Sequence, residues 1–189
     1  MEKDVGVRRP ISPDYFRIRR SAFRILLLEA ILVSTAVRSE AQSTQPLFTI
    51  ERSKNANTVH YDVVLAADGL LDAKEPIHVY WVMAVEDGRK AELSWLEKKK
   101  AYGVEVSPDA SRKSVWMTLI PLPNRSIRVY LEDGKAQTKA LIGGKAGHLK
   151  RVYIQSKEGG MLPKVQYFEL FGTDVATGQE LYEKIIPKD

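Results

Sequence analysis

The 189-residue chain contains no cysteine. That single absence excludes disulfides, thiolate metal sites, a cysteine nucleophile and lipid attachment through a processed N-terminal cysteine. The signatures of a serine elbow and of a His-Glu-x-x-His metal site are also missing. Three histidines, His60, His78 and His148, stand far apart and show no metal-ligand spacing, so neither a metal nor a cofactor is expected. The apolar run 25–37 is 13 residues long and is broken by Glu29. It falls short of the roughly 20 residues that cross a bilayer, and no transmembrane span is expected in the rest of the chain.

What is present is an ordinary globular composition, 44% hydrophobic and 28% charged, which excludes disorder over the whole length. The net charge of +5 is unevenly placed. Residues 1–41 hold eight of the 29 Lys and Arg but five of the 24 acids, leaving 21 bases against 19 acids in the remainder. The basic character therefore belongs to the N-terminal segment, and nucleic acid is not expected as a partner. Within that segment a basic stretch, 17–24, precedes the apolar run, and small residues Ser39 and Ala41 follow. This is the order of a secretory signal, with Met1–Phe16 as an N-terminal extension and cleavage after Ala41. The expected organisation is a signal peptide over 1–41, a flexible leader over 42–45 and one β-rich domain over 46–187. The expected location is the periplasm or the medium.

Short apolar runs separated by turn residues fill the domain. The segments 47–50, 58–65, 77–85, 114–120, 127–131, 138–142, 149–155, 165–171 and 181–186 read as strands. Asp133-Gly134 is a two-residue hairpin signal, and Gly143-Gly144 turns the chain again. A single short α-helix is expected over 92–102, ending at Gly103, with Trp95, Leu96 and Tyr102 near one stripe and Lys98, Lys99 and Lys100 exposed. The fold class is mainly β, an antiparallel β-sandwich or barrel of about eight strands. Trp81, Trp95, Trp116, Tyr80, Tyr102, Tyr130 and Phe168 are expected in its core.

The most polar segment runs from Glu51 to Asp62. Arg52 and Lys54 can bind an anionic group, and Asn55 and Asn57 can add amide hydrogen bonds. His60 and Asp62 lie on one face of the expected strand and are the only candidates for an oriented catalytic base. The plainer account is that Asn55-Ala56-Asn57 makes a turn that Arg52 and Lys54 solvate. His78 reads as a packed strand residue. His148 follows a glycine-rich stretch that lacks the ending of a phosphate-binding loop.

The stretch Pro46–Asn57, with Tyr61-Asp62, Val79-Tyr80-Trp81 and the segment 97–103, resembles DUF4833, a domain-of-unknown-function family found mostly in bacterial exported proteins. The resemblance covers nearly all of 46–187. It implies one exported domain and carries no activity or catalytic residue to this chain. Three functions remain open. The first is a non-enzymatic module for an unknown small ligand or a cell-envelope partner. The second is a hydrolase built on Arg52, Lys54, His60 and Asp62. The third is recognition of an anionic lipid or polymer by Arg52, Lys54 and Lys98–Lys100.

Overall fold

A computed structural model describes residues 42–157 and 164–187. The expected signal peptide and the glycine-rich connection over 159–163 lie outside the described residues.

Alternation of apolar and polar residues drives the chain into strands, each with one face turned inward. In chain order these are β1 (Ser43–Arg52), β2 (Asn55–Leu65), β3 (Ile77–Met83), β4 (Arg89–Glu92), β5 (Val104–Pro108), β6 (Ser114–Leu119), β7 (Ser126–Glu132), β8 (Lys135–Ile142), β9 (Lys145–Lys157), β10 (Lys164–Asp174) and β11 (Glu180–Ile185). One helix, α1 (Trp95–Lys100), joins β4 to β5, and a 3-10 turn (Ala84–Glu86) follows β3.

All the strands belong to one sheet, ordered β4-β3-β2-β1-β9-β8-β7-β6-β5, with β10 and β11 added alongside β9. The β1–β9 pair is parallel and the others are antiparallel. Strand β9 organises the sheet. Its start pairs with β8, Arg151–Ile154 run beside β1, and β10 follows it from Gly147 to Lys157. Val59, Tyr61, Val63 and Trp81 from β2 and β3 share one core with Val115, Met117, Ile127 and Val129 from β6 and β7. The sheet thus curls over its own apolar face. Burying each such side chain contributes about 1.5–3 kcal/mol.

The expected antiparallel sandwich or barrel of about eight strands is corrected to an open, curled sheet with eleven strands among the described residues. The additional strands β4 and β5 are short; β4 is largely polar, and β5 packs only Val104 and Val106 against the core. They lie at the two ends of the main strand order, where one ladder partner suffices and a run of four or five residues completes a strand. Ser43–Gln45, expected in a flexible leader, open β1 and pair with Val63–Leu65. The Gln45 side chain also exchanges hydrogen bonds with the backbone at Gly134 and Ala136. The helix is shorter than expected because Glu92, in β4, pairs with Tyr80 of β3 and Ser94 caps the helix start.

Three residues expected in the core are outside it: Trp95, Trp116 and Tyr130, the last a half-buried side chain that alternates with the buried Val129 and lies on the outer face near Arg128. Trp95 is 71% exposed and Trp116 is 53% exposed. Trp116 alternates with the buried Val115 and Met117, so its side chain points away from the core. The hairpin reading at Asp133-Gly134 matches the backbone. Both residues have positive φ (50° and 74°), the conformation a two-residue turn demands.

Candidate functional site

Strands β1 and β2 are joined by the tight turn Ser53-Lys54, closed by the pairing of Arg52 with Asn55. The Asn55 side-chain oxygen accepts hydrogen bonds from Arg52 Nε and from the Asn57 backbone N–H, each at 3.2 Å. The turn thereby holds the Arg52 stem, and the guanidinium lies 4.5 Å from the centroid of the Trp81 ring. Arg52 Nη1 donates to the Tyr102 hydroxyl at 3.2 Å. Such a cation over an indole face contributes about 0.5–2 kcal/mol and fixes the plane of the guanidinium.

A short helix supplies the opposite wall. Ser94 accepts from the Glu97 N–H, and the Glu97 carboxylate accepts from the Ser94 N–H at 2.8 Å, a complete capping box. The same carboxylate accepts from Trp81 Nε1 at 3.2 Å, tying α1 to the core strand β3. Partial burial works to raise the Glu97 carboxyl. Hydrogen bonds from Ser94 and Trp81 and the nearby Arg52 charge outweigh it and hold the group below its ordinary value. Glu97 is therefore a bound anion of the wall and not a proton donor. Beyond the helix, the fully buried Tyr61 hydroxyl donates to the Tyr102 carbonyl at 2.6 Å. Burial, with Tyr102 beside it, pushes the Tyr61 phenol well above its ordinary value, so it remains a neutral donor.

Between the turn and the helix lies a groove of about 240 Å³. Leu96, Ile154, Val165 and Pro121 form its apolar lining, while Arg52, Lys54 and Lys100 supply positive charge. Among the described residues Glu97 is the one carboxylate that lines it, and its oxygens are already engaged. Chemically this is a shallow seat for an anion attached to apolar substance. A larger depression of about 420 Å³ lies beside Pro123, Phe168 and Ile186. Arg125 lines it too, but that guanidinium is paired with Glu183 at 2.6 Å.

The residues proposed from sequence divide into two groups. Arg52 and Lys54 line the groove together. Asn55 and Asn57 are turn and backbone supports: the Asn57 side-chain oxygen accepts from the Ala84 N–H at 3.0 Å. His60 and Asp62 alternate with the core residues Val59, Tyr61 and Val63, so they occupy the outer face of β2, away from Arg52. There His60 Nε2 meets the Thr58 hydroxyl at 3.0 Å, and buried Asp62 accepts from the Tyr80 hydroxyl at 2.9 Å. No hydrogen bond joins His60 to Asp62 among the described residues. Burial lowers the His60 pKa, the Asp62 charge opposes that, and Lys90 adds to the lowering. His78 pairs with Glu92 at 2.7 Å, and His148 Nδ1 contacts the Thr138 carbonyl at 2.8 Å. Among the described residues no group of three or more His, Asp or Glu is placed to hold a metal ion. No described helix is long and apolar enough to cross a membrane.

Sequence reasoning placed Trp81 and Tyr102 in the core and did not single out Glu97. One signal for Glu97 was legible: Ser94-x-x-Glu97 ahead of a lysine-rich run is the pattern of a capping box. The stacking of Arg52 on Trp81 had no such signal, because 29 residues separate them and only the sheet register brings them together.

No curated protein and no solved structure matches the chain. Residues 48–184 match a family whose described feature is a domain of unknown function, and the chain belongs to that family, DUF4833.

Proposed function

We propose that this protein is an exported, non-enzymatic binding module whose groove takes a small anionic ligand. The observation that carries the reading is the seat itself. Arg52 is immobilised on Trp81 by Asn55 and Tyr102, with Lys54 and Lys100 alongside it and an apolar floor between them. A guanidinium held in a fixed plane loses little entropy when an oxyanion docks on its remaining N–H groups. The hydrolase reading has no comparable support, since His60 and Asp62 are on the other face of β2.

Butyl phosphate is a suitable probe, with binding followed by calorimetry. It should bind more weakly as salt rises, because the attraction between exposed charges is screened. Arg52→Ala should weaken it by roughly tenfold or more, the worth of a charge-assisted hydrogen bond. Affinity that ignores both salt and Arg52 would refute the groove.

Export rests on the basic, apolar and small-residue order of residues 17–41. The start of β1 at Ser43, just past Ala41, supports it. N-terminal sequencing of protein recovered outside the cytoplasm should begin near Gln42. An isolated protein that keeps its first 41 residues would overturn this part.

A further inference from the structure

From the surface around the groove we infer that the anion it receives is the headgroup of a membrane lipid, and that this end of the sheet docks on an anionic bilayer with Trp95 inserted. The inference rests on the anion-binding reading and names the source of the anion. Three observations carry it.

The first is size. A groove of about 240 Å³ is smaller than the roughly 300–1,000 Å³ that encloses a drug-sized ligand. It suits a headgroup whose apolar remainder lies elsewhere.

The second is the helix. None of the α1 residues is buried. Trp95 is 71% exposed and Leu96 is 51% exposed. A helix of this length is marginal by itself, yet a full capping box and the Glu97–Trp81 bond hold it in place. The protein thus fixes two large apolar side chains in solvent.

The third is charge. Lys99 Nζ sits 4.9 Å from the Trp95 ring centroid, so a cation and the apolar side chain share one spot. Lys98 is shared with Glu92 at 3.4 Å. Lys100 has no ion-pair partner among the described residues, and it lines the groove beside Arg52 and Lys54. Tryptophan with neighbouring lysines is the composition that settles at a bilayer interface, where the indole enters the headgroup layer and the ammonium groups meet lipid phosphates. Each such basic residue strengthens attraction to an anionic leaflet several-fold.

The test uses the protein as the cell processes it, with vesicles of phosphatidylcholine alone or mixed with phosphatidylglycerol. The protein should co-sediment with the mixed vesicles, and less so as salt rises, but not with phosphatidylcholine alone. Tryptophan emission should shift to the blue on binding. Trp95→Phe should keep binding and lose most of that shift. Trp95→Ser should weaken vesicle binding by about tenfold while butyl phosphate affinity stays unchanged, since Trp95 does not line the groove. Any contribution from residues 25–37, if they are retained, is common to both forms and cancels in the comparison.

Butyl phosphate binding without vesicle binding would overturn the lipid assignment and leave the anion site standing. Vesicle binding indifferent to Trp95→Ser would overturn the docking geometry. Loss of both ligands would remove the two readings together. Concentration-dependent dimerisation abolished by Trp95→Ser in vesicle-free protein would assign the patch to a second copy of the chain and refute the membrane.

Discussion

Removing one oxygen atom tests how the core and the groove are joined. Tyr61 is fully buried in β2, its ring stacked on Phe48 with centroids 4.5 Å apart and planes 11° from parallel. Its hydroxyl reaches across to the Tyr102 carbonyl, the first stretch of chain after α1. Tyr61→Phe keeps the stack and the packing volume and deletes only the hydroxyl. The Tyr102 carbonyl then loses its donor in a partly dry position, which costs about 1–2 kcal/mol. For a chain of this size each kcal/mol lowers the melting midpoint by about 2–4 °C, so a fall of roughly 4 °C is expected by calorimetry. Tyr102 also receives Arg52 through its own hydroxyl. The same variant should therefore loosen the groove, raising amide exchange at Ala101–Gly103 and weakening butyl phosphate binding. Tyr182→Phe is the control, because that hydroxyl bonds Glu169 on a side chain 53% exposed, where the loss is within about 0.5 kcal/mol. If Tyr61→Phe melts no lower than Tyr182→Phe, the hydroxyl does not couple core and groove.

Other substitutions probe separate parts of the argument. A methyl group at Gly103 would fall within contact radius of the Lys98 carbonyl, which is backbone and cannot swing away. Gly103→Ala should displace the end of α1, seen as reduced thermal stability by about 1–3 kcal/mol and loss of anion binding. Unchanged unfolding would refute the close approach. Gly134 has φ of 74° with open space around it, so Gly134→Ala should cost about 1–2 kcal/mol from backbone strain alone, measured by urea unfolding. An effect near zero would show that the turn relaxes freely. His60 sets a pH dependence. Its folded pKa is lowered by burial, so the unfolded chain takes up the proton first as pH falls. Stability should decline once pH drops below the ordinary imidazole value of about 6.5 and level off beneath the lower folded pKa. His60→Gln should flatten that decline in urea midpoints, and an identical profile would refute the assignment.

Local signals in the chain were sufficient for most of the strands. The alternation of Val59, Tyr61 and Val63 with His60 and Asp62 defined β2, and Asp133-Gly134 defined the hairpin between β7 and β8, because side-chain period and turn chemistry act over a few neighbouring residues. They were weaker where neighbours are distant. Arg89–Glu92 has little alternation of its own and Val104–Pro108 is only five residues long, and both become strands because β3 and β6 offer them a free edge. Trp95 looked like a core residue, since indole is apolar whatever surrounds it. Its exposure follows from the capping box at Ser94, which fixes how the helix leaves the sheet.

The sequence by itself determined the β class, the absence of any cysteine chemistry, the polar character of the segment holding Arg52 and Lys54, and the family resemblance carried by the segment from Pro46. Its expected turn at Asn55-Ala56-Asn57 is corrected to Ser53-Lys54, because Asn55 already pairs with Arg52 and opens β2. Only the tertiary structure decided that Arg52 rests on Trp81 opposite a lysine-bearing helix, while His60 and Asp62 face away. The reason is geometric. Residue type and spacing constrain the chain over a turn or a strand, whereas a binding seat joins segments far apart in sequence through sheet register and curl.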